Sequence, residues 1–256
     1  MAKKRSTATR RAESSAAAER AAAIRQEHER KERRRRSLVV TAAVLAVLVV
    51  VGVIAYIATS SQDTPAASGS VPAGVVGGYA VPAGPSSAPV KVVVYEDFMC
   101  PYCGQFEAAS RTSFAQEISA GKVQFQYHVL NFLDRSSTTD YSTRSANALA
   151  VVLDTSGPTV AKKFHDLLFE NQPAEGSAGL SDSQLVDYAV QAGAKASAVR
   201  SGIEGTTYKG WVDKVTDRSS KDGVTGTPTV MIDGKKVDSQ STDGLVSAIQ
   251  QAVDAG

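Results

Sequence analysis

The order of apolar patterns predicts an α/β fold. A buried strand runs into a helix and a second strand, a helical block follows, and the chain closes as strand, strand, helix. Three observations carry this. Val92-Val93-Val94 is a continuous apolar run, as expected of a strand covered on both faces. Val123, Phe125, Tyr127 and Val129 alternate with Gln124, Gln126 and His128, the period of a strand with one apolar face. The pattern between about 139 and 219 has helical spacing instead.

The first strand, from Val90 to Tyr95, ends just before Cys100-Pro101-Tyr102-Cys103, which holds the only two cysteines of the 256 residues. Sulfurs with only two residues between them close too short a loop to staple a fold. They can make and break a disulfide with each other. A helix is predicted from Pro101, where a missing N–H is tolerated in the first turn. Cys103, Phe106, Phe114 and Ile118 share one face of it, and Gly121 supplies a stop. Cys100 then sits at the helix N-terminus, where unpaired N–H groups and the macrodipole favour a thiolate. Cys100 is read as the attacking sulfur and Cys103 as the resolving one. Zinc needs about four ligands. Apart from His28 in the basic N-terminal run, which is expected on the other side of the membrane, His128 and His165 are the histidines available, at a spacing that matches no zinc pattern. The pair calls for no metal and no cofactor, although a metal relay through both cysteines and one histidine is the alternative from another class.

The helical block resolves into Ala146–Leu153, a helix opened by Pro158 and reaching Phe169, and one opened by the capping box Ser181-Asp182-Ser183-Gln184 and ended at Gly193. Shorter helices are expected around Ala196–Ile203 and Tyr208–Lys214, with Asn171 to Gly179 as a loop. Phe164, His165 and Trp211 are read as packing residues. The chain returns to strand at Thr229–Ile232, turns at Asp233-Gly234, and answers with Lys235–Val237. Leu245, Ile249 and Val253 mark one face of a closing helix.

Tyr95 to Cys103, with Gly226-Thr227-Pro228-Thr229 downstream, resembles the DsbA-like branch of the thioredoxin superfamily over roughly Val90 to Gly256. The resemblance implies a thioredoxin fold with an inserted helical domain that roofs the active site. It implies that Pro228 is the cis-proline opposite the disulfide, and that Thr227 contacts the substrate backbone. It also implies a quinone-linked membrane reoxidase of the DsbB or VKOR type. Thr227 stands where the best-known DsbA has valine, a departure toward isomerase-like relatives. Glu96 and Asp97 are candidate proton-relay groups for the resolving cysteine. Their other reading is as solvated carboxylates at a strand end. As anions near Cys100 they are expected to raise its pKa, against the helix terminus.

The N-terminal third is of another kind. Residues 1–37 carry 13 Lys/Arg and 5 Asp/Glu, a net of +8; the remaining 15 and 21 give −6. The basic run ends in four arginines and is followed by Leu38 to Ala58, 21 residues without a charge. As a helix this stretch spans about 31 Å, the thickness of a bilayer core. The positive flank places the tail 1–37 in the cytoplasm and everything after residue 58 outside. The arginines are therefore assigned to lipid headgroups and not to nucleic acid. The n-region is too long for a cleaved signal peptide, so 38–58 is read as an uncleaved signal-anchor. Residues 59–89, with five of the nine prolines and one charge, are read as a flexible linker, and 90–256 as the catalytic domain.

Together these readings predict an extracytoplasmic, membrane-tethered thiol–disulfide oxidoreductase that forms disulfides in exported proteins with free thiols. A disulfide reductase or isomerase of the same fold, for example in cytochrome maturation, is the alternative.

Overall fold

A computed structural model describes residues 70–239 and 241–256. The basic tail, the expected membrane span and residues 59–69 of the expected linker lie outside the described residues. Among the described residues no helix is long and apolar enough to cross a membrane.

Among the described residues five strands form one sheet: β1 (Val81–Ala83), β2 (Val90–Glu96), β3 (Val123–Val129), β4 (Thr229–Ile232) and β5 (Lys235–Lys236), in the order β1-β3-β2-β4-β5. Strands β2 and β3 are parallel, and the other pairs are antiparallel. The parallel pair needs a crossover, which is α1 (Pro101–Ser119). The central position of β2 explains its apolar run, with Val92 and Val94 fully buried. The predicted turn closes the β4–β5 hairpin, where Asp233 and Gly234 both take positive φ, of 47° and 79°.

Between β3 and β4 lies a helical insertion: α2 (Tyr141–Glu170), α3 (Asp182–Ala192), α4 (Ala196–Glu204) and α5 (Lys209–Lys221). The two helices expected on either side of Pro158 are the arms of α2, which breaks at Gly157 (φ 81°, ψ 173°). The capping box opens α3 as expected, with Ser181 accepting from the Gln184 N–H and Gly193 ending the helix in the left-handed region. Helix α5 runs seven residues past Lys214. Its later turns are polar and held by i,i+4 pairs, Lys221 with Asp217 and Arg218 with Asp222, which apolar spacing does not report. The closing helix α6 (Thr242–Ala255) buries Leu245, Ile249 and Val253.

The linker expectation fails over residues 70–89. Ala80, Val81 and Ala83 are buried, and β1 pairs with β3 through Val81↔Tyr127 and Ala83↔Phe125. The Trp211 indole donates to the Gly78 carbonyl at 2.8 Å, and the Ala73 N–H donates to Asp154 at 2.8 Å. Proline is compatible with this strand because β1 is a sheet edge, where one side of the backbone needs no ladder bond. A Pro/Gly-rich composition measures intrinsic stiffness, and here tertiary pairing overrides it.

Candidate active site

The register of the sheet assembles the site. Tyr95 of β2 faces Thr229 of β4 in an antiparallel pair. Chain continuing past Tyr95 therefore runs beside the chain that leads into Thr229. Cys100 and the Thr227-Pro228 bond, 127 residues apart, meet at the end of the sheet. That bond is cis, and the Cys100 thiol donates to the Thr227 carbonyl oxygen at 3.3 Å.

Cys100 is the N-cap residue of α1, with extended backbone (φ −76°, ψ 116°), and Pro101 opens the first turn. Both cysteines are free thiols, with Cys100 5% exposed and Cys103 fully buried, one turn into the helix. The helix start treats the two sulfurs in opposite ways. The Cys103 thiol as donor, together with the Thr227 side chain and the Cys103 and Tyr102 N–H groups, outweighs burial and brings the Cys100 pKa down to about 6. Burial pushes the Cys103 thiol well up, and the neighbouring Cys100 adds to this. The chief opposition to the Cys100 thiolate is thus its own burial, and not the carboxylates that sequence reasoning held responsible.

Neither Glu96 nor Asp97 is a solvated carboxylate; both are fully buried. Asp97 Oδ1 accepts from the Met99 N–H at 2.9 Å and the Ser142 hydroxyl at 2.6 Å, and Oδ2 accepts from the Leu133 N–H at 3.0 Å. It ties the loop before the cysteines to the insertion. Burial lifts its pKa to about 6 despite those donors. Glu96 ends β2 and meets His165 of α2, Oε1 to Nε2 at 2.8 Å. Burial lifts the Glu96 pKa to about 7, with His165 opposing.

Three contributors escaped sequence reasoning. His165, read as packing, is buried as expected but forms this ion pair. Glu107 is 2% exposed, and its carboxylate lies with the Glu96 and His165 donor atoms inside 4.8 Å. It stands four residues after Cys103 on the apolar face of α1, and a carboxylate on that face was a readable signal. Glu96, Glu107 and His165 are also the donor set that has the chemistry to hold a divalent cation. Gln172, from the loop after α2, donates through Nε2 to the Cys100 carbonyl at 2.9 Å and the Phe98 carbonyl at 3.1 Å. Nothing local in the sequence marks it. His128 is half-buried on β3 against Tyr95, and burial lowers its pKa to about 4.

Tyr102 projects into solvent at 66% exposure, between two grooves. One, of about 990 Å³, is lined by Cys100, Pro101, Phe132, Leu133, Val224 and Thr227. The other, of about 520 Å³, is lined by Tyr102, Thr227, Pro228, Lys236, Val237 and Leu245. Glu175 and Thr216 of the helical insertion form part of the wall of the first. An extended peptide laid along Thr227 would have a groove on either side and the Cys100 sulfur beneath it.

A family model described as thioredoxin matches residues 78–251. A solved structure of oxidised DsbA from Mycobacterium tuberculosis is 30% identical, covers 68% of this chain and 92% of that one, and superposes with a TM-score of 0.58. The disulfide bond formation protein D of Bacillus subtilis is 26% identical over 156 residues, 60% of this chain and 68% of that protein. The serine/threonine-protein kinase PknE of Mycobacterium tuberculosis is 29% identical over 161 residues, 60% of this chain. The chain spans only 28% of that kinase's length. A model that covers the sheet, both cysteines and the Thr227-Pro228 bond places this chain in the thioredoxin family, on its DsbA-like branch of thiol–disulfide oxidoreductases.

Proposed function

We propose that this chain introduces disulfides into exported proteins, with its catalytic domain tethered outside the cell membrane. The observation that carries the reading is the division between the sulfurs: Cys100 down to about 6, Cys103 pushed well up, and Thr227-Pro228 against the first. In the oxidised enzyme a substrate thiolate attacks Cys100. The Cys100–Cys103 bond breaks and Cys103 takes a proton. A second substrate thiolate then attacks the substrate sulfur of the mixed disulfide, closing the substrate disulfide and releasing Cys100 as the favoured leaving thiolate. Thr227 and Pro228 position the substrate backbone, and Pro101 and Tyr102 shape the loop between the sulfurs.

The reduced pair returns to the disulfide by passing two electrons to a quinone-linked membrane reoxidase of the DsbB or VKOR type. The basic tail 1–37 rests on lipid headgroups, and 38–58 is the anchor. These assignments rest on the charge pattern of the sequence and on the family, and the reaction requires no nucleic acid and no cofactor. The test is direct. The full chain in detergent, oxidised, is mixed with a reduced, unfolded protein that natively carries disulfides. Stoichiometric oxidation is expected, and a chain that leaves the substrate thiols free is not an oxidase.

One observation favours a second reading, as reductase or isomerase. A Cys100 pKa of about 6 lies nearer the value of about 7 in thioredoxin than the 3.5 of DsbA. A less stabilised thiolate makes a weaker oxidant. Redox titration of the full chain is expected to give a potential between about −120 mV, as in DsbA, and about −270 mV, as in thioredoxin. A value at the thioredoxin end, with Cys100 and Cys103 reduced in cells, selects the second reading.

A further inference from the structure

His165 touches neither sulfur, yet its placement is more specific than packing requires. Its ring is 1% exposed and surrounded by Tyr127, Phe169 and Phe98, at centroid distances of 4.3, 5.1 and 5.6 Å. Another phenylalanine would fill that space without desolvating two nitrogens. Both nitrogens instead face carboxylates of opposite exposure. Nε2 is 2.8 Å from Oε1 of fully buried Glu96, and Nδ1 is 3.2 Å from Oδ1 of Asp166. The Asp166 side chain is 23% exposed and pairs with Lys162. A continuous line of polar atoms therefore leads from the core to solvent.

The inner end of the line meets the helix that carries the cysteines. Glu96 Oε2 is buried with no hydrogen-bond partner among the described residues. Glu107, one turn beyond Cys103, brings its carboxylate into the same cluster. The charge on Glu96 also contributes to holding the Cys103 thiol up, so the two groups share a field. An imidazole between two carboxylates can release a proton from one nitrogen and regain it at the other. The groups facing the ring are Glu96 from β2, Glu107 from α1, Tyr127 from β3, and Asp166 from α2 itself, with Lys162 behind Asp166.

We propose that Glu96, His165 and Asp166 form a proton relay between the resolving thiol Cys103 and solvent, with His165 as its central link. This rests on the exchange chemistry proposed above. When a mixed disulfide on Cys100 is resolved, Glu96 Oε2 takes the Cys103 proton and the Cys103 sulfur attacks the Cys100 sulfur. The bond from Cys100 to the bound partner breaks, and the partner leaves as a thiolate carrying the electron pair. His165 releases its Nδ1 proton through Asp166 and keeps the Nε2 proton; a flip of the ring then turns the bare nitrogen to Glu96, whose proton restores the imidazolium. Disulfide donation runs the same protons inward. The direct Nε2–Oε1 hydrogen bond favours this use of the cluster over a cation held between the same donors.

The experiment follows glutathione disulfide reacting with the reduced full chain between pH 5 and pH 9, with acid quenching and mass analysis of the glutathione adduct on Cys100. One glutathione leaves as the adduct forms, and the second leaves as Cys103 resolves it. In His165→Gln the adduct is expected to form at the wild-type rate. Its resolution is expected to be slowed at least about tenfold below pH 7, a general-base loss, with the deficit closing toward pH 9 as hydroxide takes the proton. Asp166→Asn is expected to shift the profile in the same direction, and it carries the test if His165→Gln does not fold. Wild-type profiles in both variants, or a loss independent of pH, overturn the relay alone. So does one equivalent of divalent metal in the purified chain, lost in His165→Gln, whose chelation alters resolution. A wild-type chain that forms no adduct overturns the exchange reading and the relay with it.

Discussion

The Cys100 sulfur lies 3.3 Å from the Thr227 carbonyl oxygen, a contact the thiol makes as donor and a thiolate cannot make at all. Ionisation of Cys100 therefore trades this bond for those offered by the Cys103 thiol, the Thr227 side chain and two backbone N–H groups. The Cys103 thiol is the leading donor. Iodoacetamide alkylation of Cys100 in the reduced chain is accordingly expected to reach half its plateau near pH 6. In Cys103→Ala that midpoint should move up by about a unit or more, toward a free cysteine. An unmoved midpoint would mean that the helix N-terminus alone holds the thiolate.

Thr227 contributes to the same thiolate through its side chain. Thr227→Val keeps the volume and the branching and removes that donor. The alkylation midpoint is expected to rise by less than in Cys103→Ala, because one of several donors is lost and it is not the leading one. The comparison of the two midpoints checks the order, and a larger shift in Thr227→Val contradicts it.

Gln172 spans from the insertion to the cysteine loop, with its amide donating to the Phe98 and Cys100 carbonyls. Gly104 makes room for it, since a Cβ there would sit 2.2 Å from Gln172 Oε1. Gln172→Ala is expected to cost about 1–2 kcal/mol in urea unfolding, two hydrogen bonds at about 1 kcal/mol each. Hydrogen exchange over residues 98–104 should accelerate. Gly104→Ala should accelerate the same amides with little net change in stability, because alanine regains about 1 kcal/mol of helix propensity. Combining the two should add nothing to the exchange rates, since both remove one contact.

The strands and helices with a clear period were legible because each reports its own burial. The apolar run of β2, the alternation of β3 and the capping box of α3 sit where the sequence placed them. The cysteine pair was equally legible, since two cysteines with only two residues between them have few other uses. What escaped depends on partners far along the chain. β1 is three residues long, contains Pro82, and becomes a strand only by pairing with β3. The burial of Glu96 and Asp97 was not legible, because their partners, His165 and Ser142, lie 69 and 45 residues away on the insertion. Nothing in the residues beside Glu96 and Asp97 encodes what folds over them.

His165 makes a testable contribution to stability. Burial works against its imidazolium, but Glu96, Asp166 and Glu107 outweigh it and hold the pKa up at about 9, against 6.5 for an exposed ring. Between those values the folded chain binds more protons than the unfolded chain, so this part of the unfolding free energy falls as pH rises. The stabilisation is fully present below pH 6.5 and is lost as pH rises through 9. Glu96, lifted by burial from 4.5 to about 7, adds the same sign over its own lower window. Cys100 works the other way in the reduced chain, because its lowered pKa stabilises the folded thiolate at high pH. Urea unfolding of the oxidised chain removes that opposition. Its midpoint is expected to fall between pH 6.5 and pH 9, and the slope over this window should flatten in His165→Gln. A variant that keeps the wild-type slope would place the titrating group elsewhere than at this buried pair.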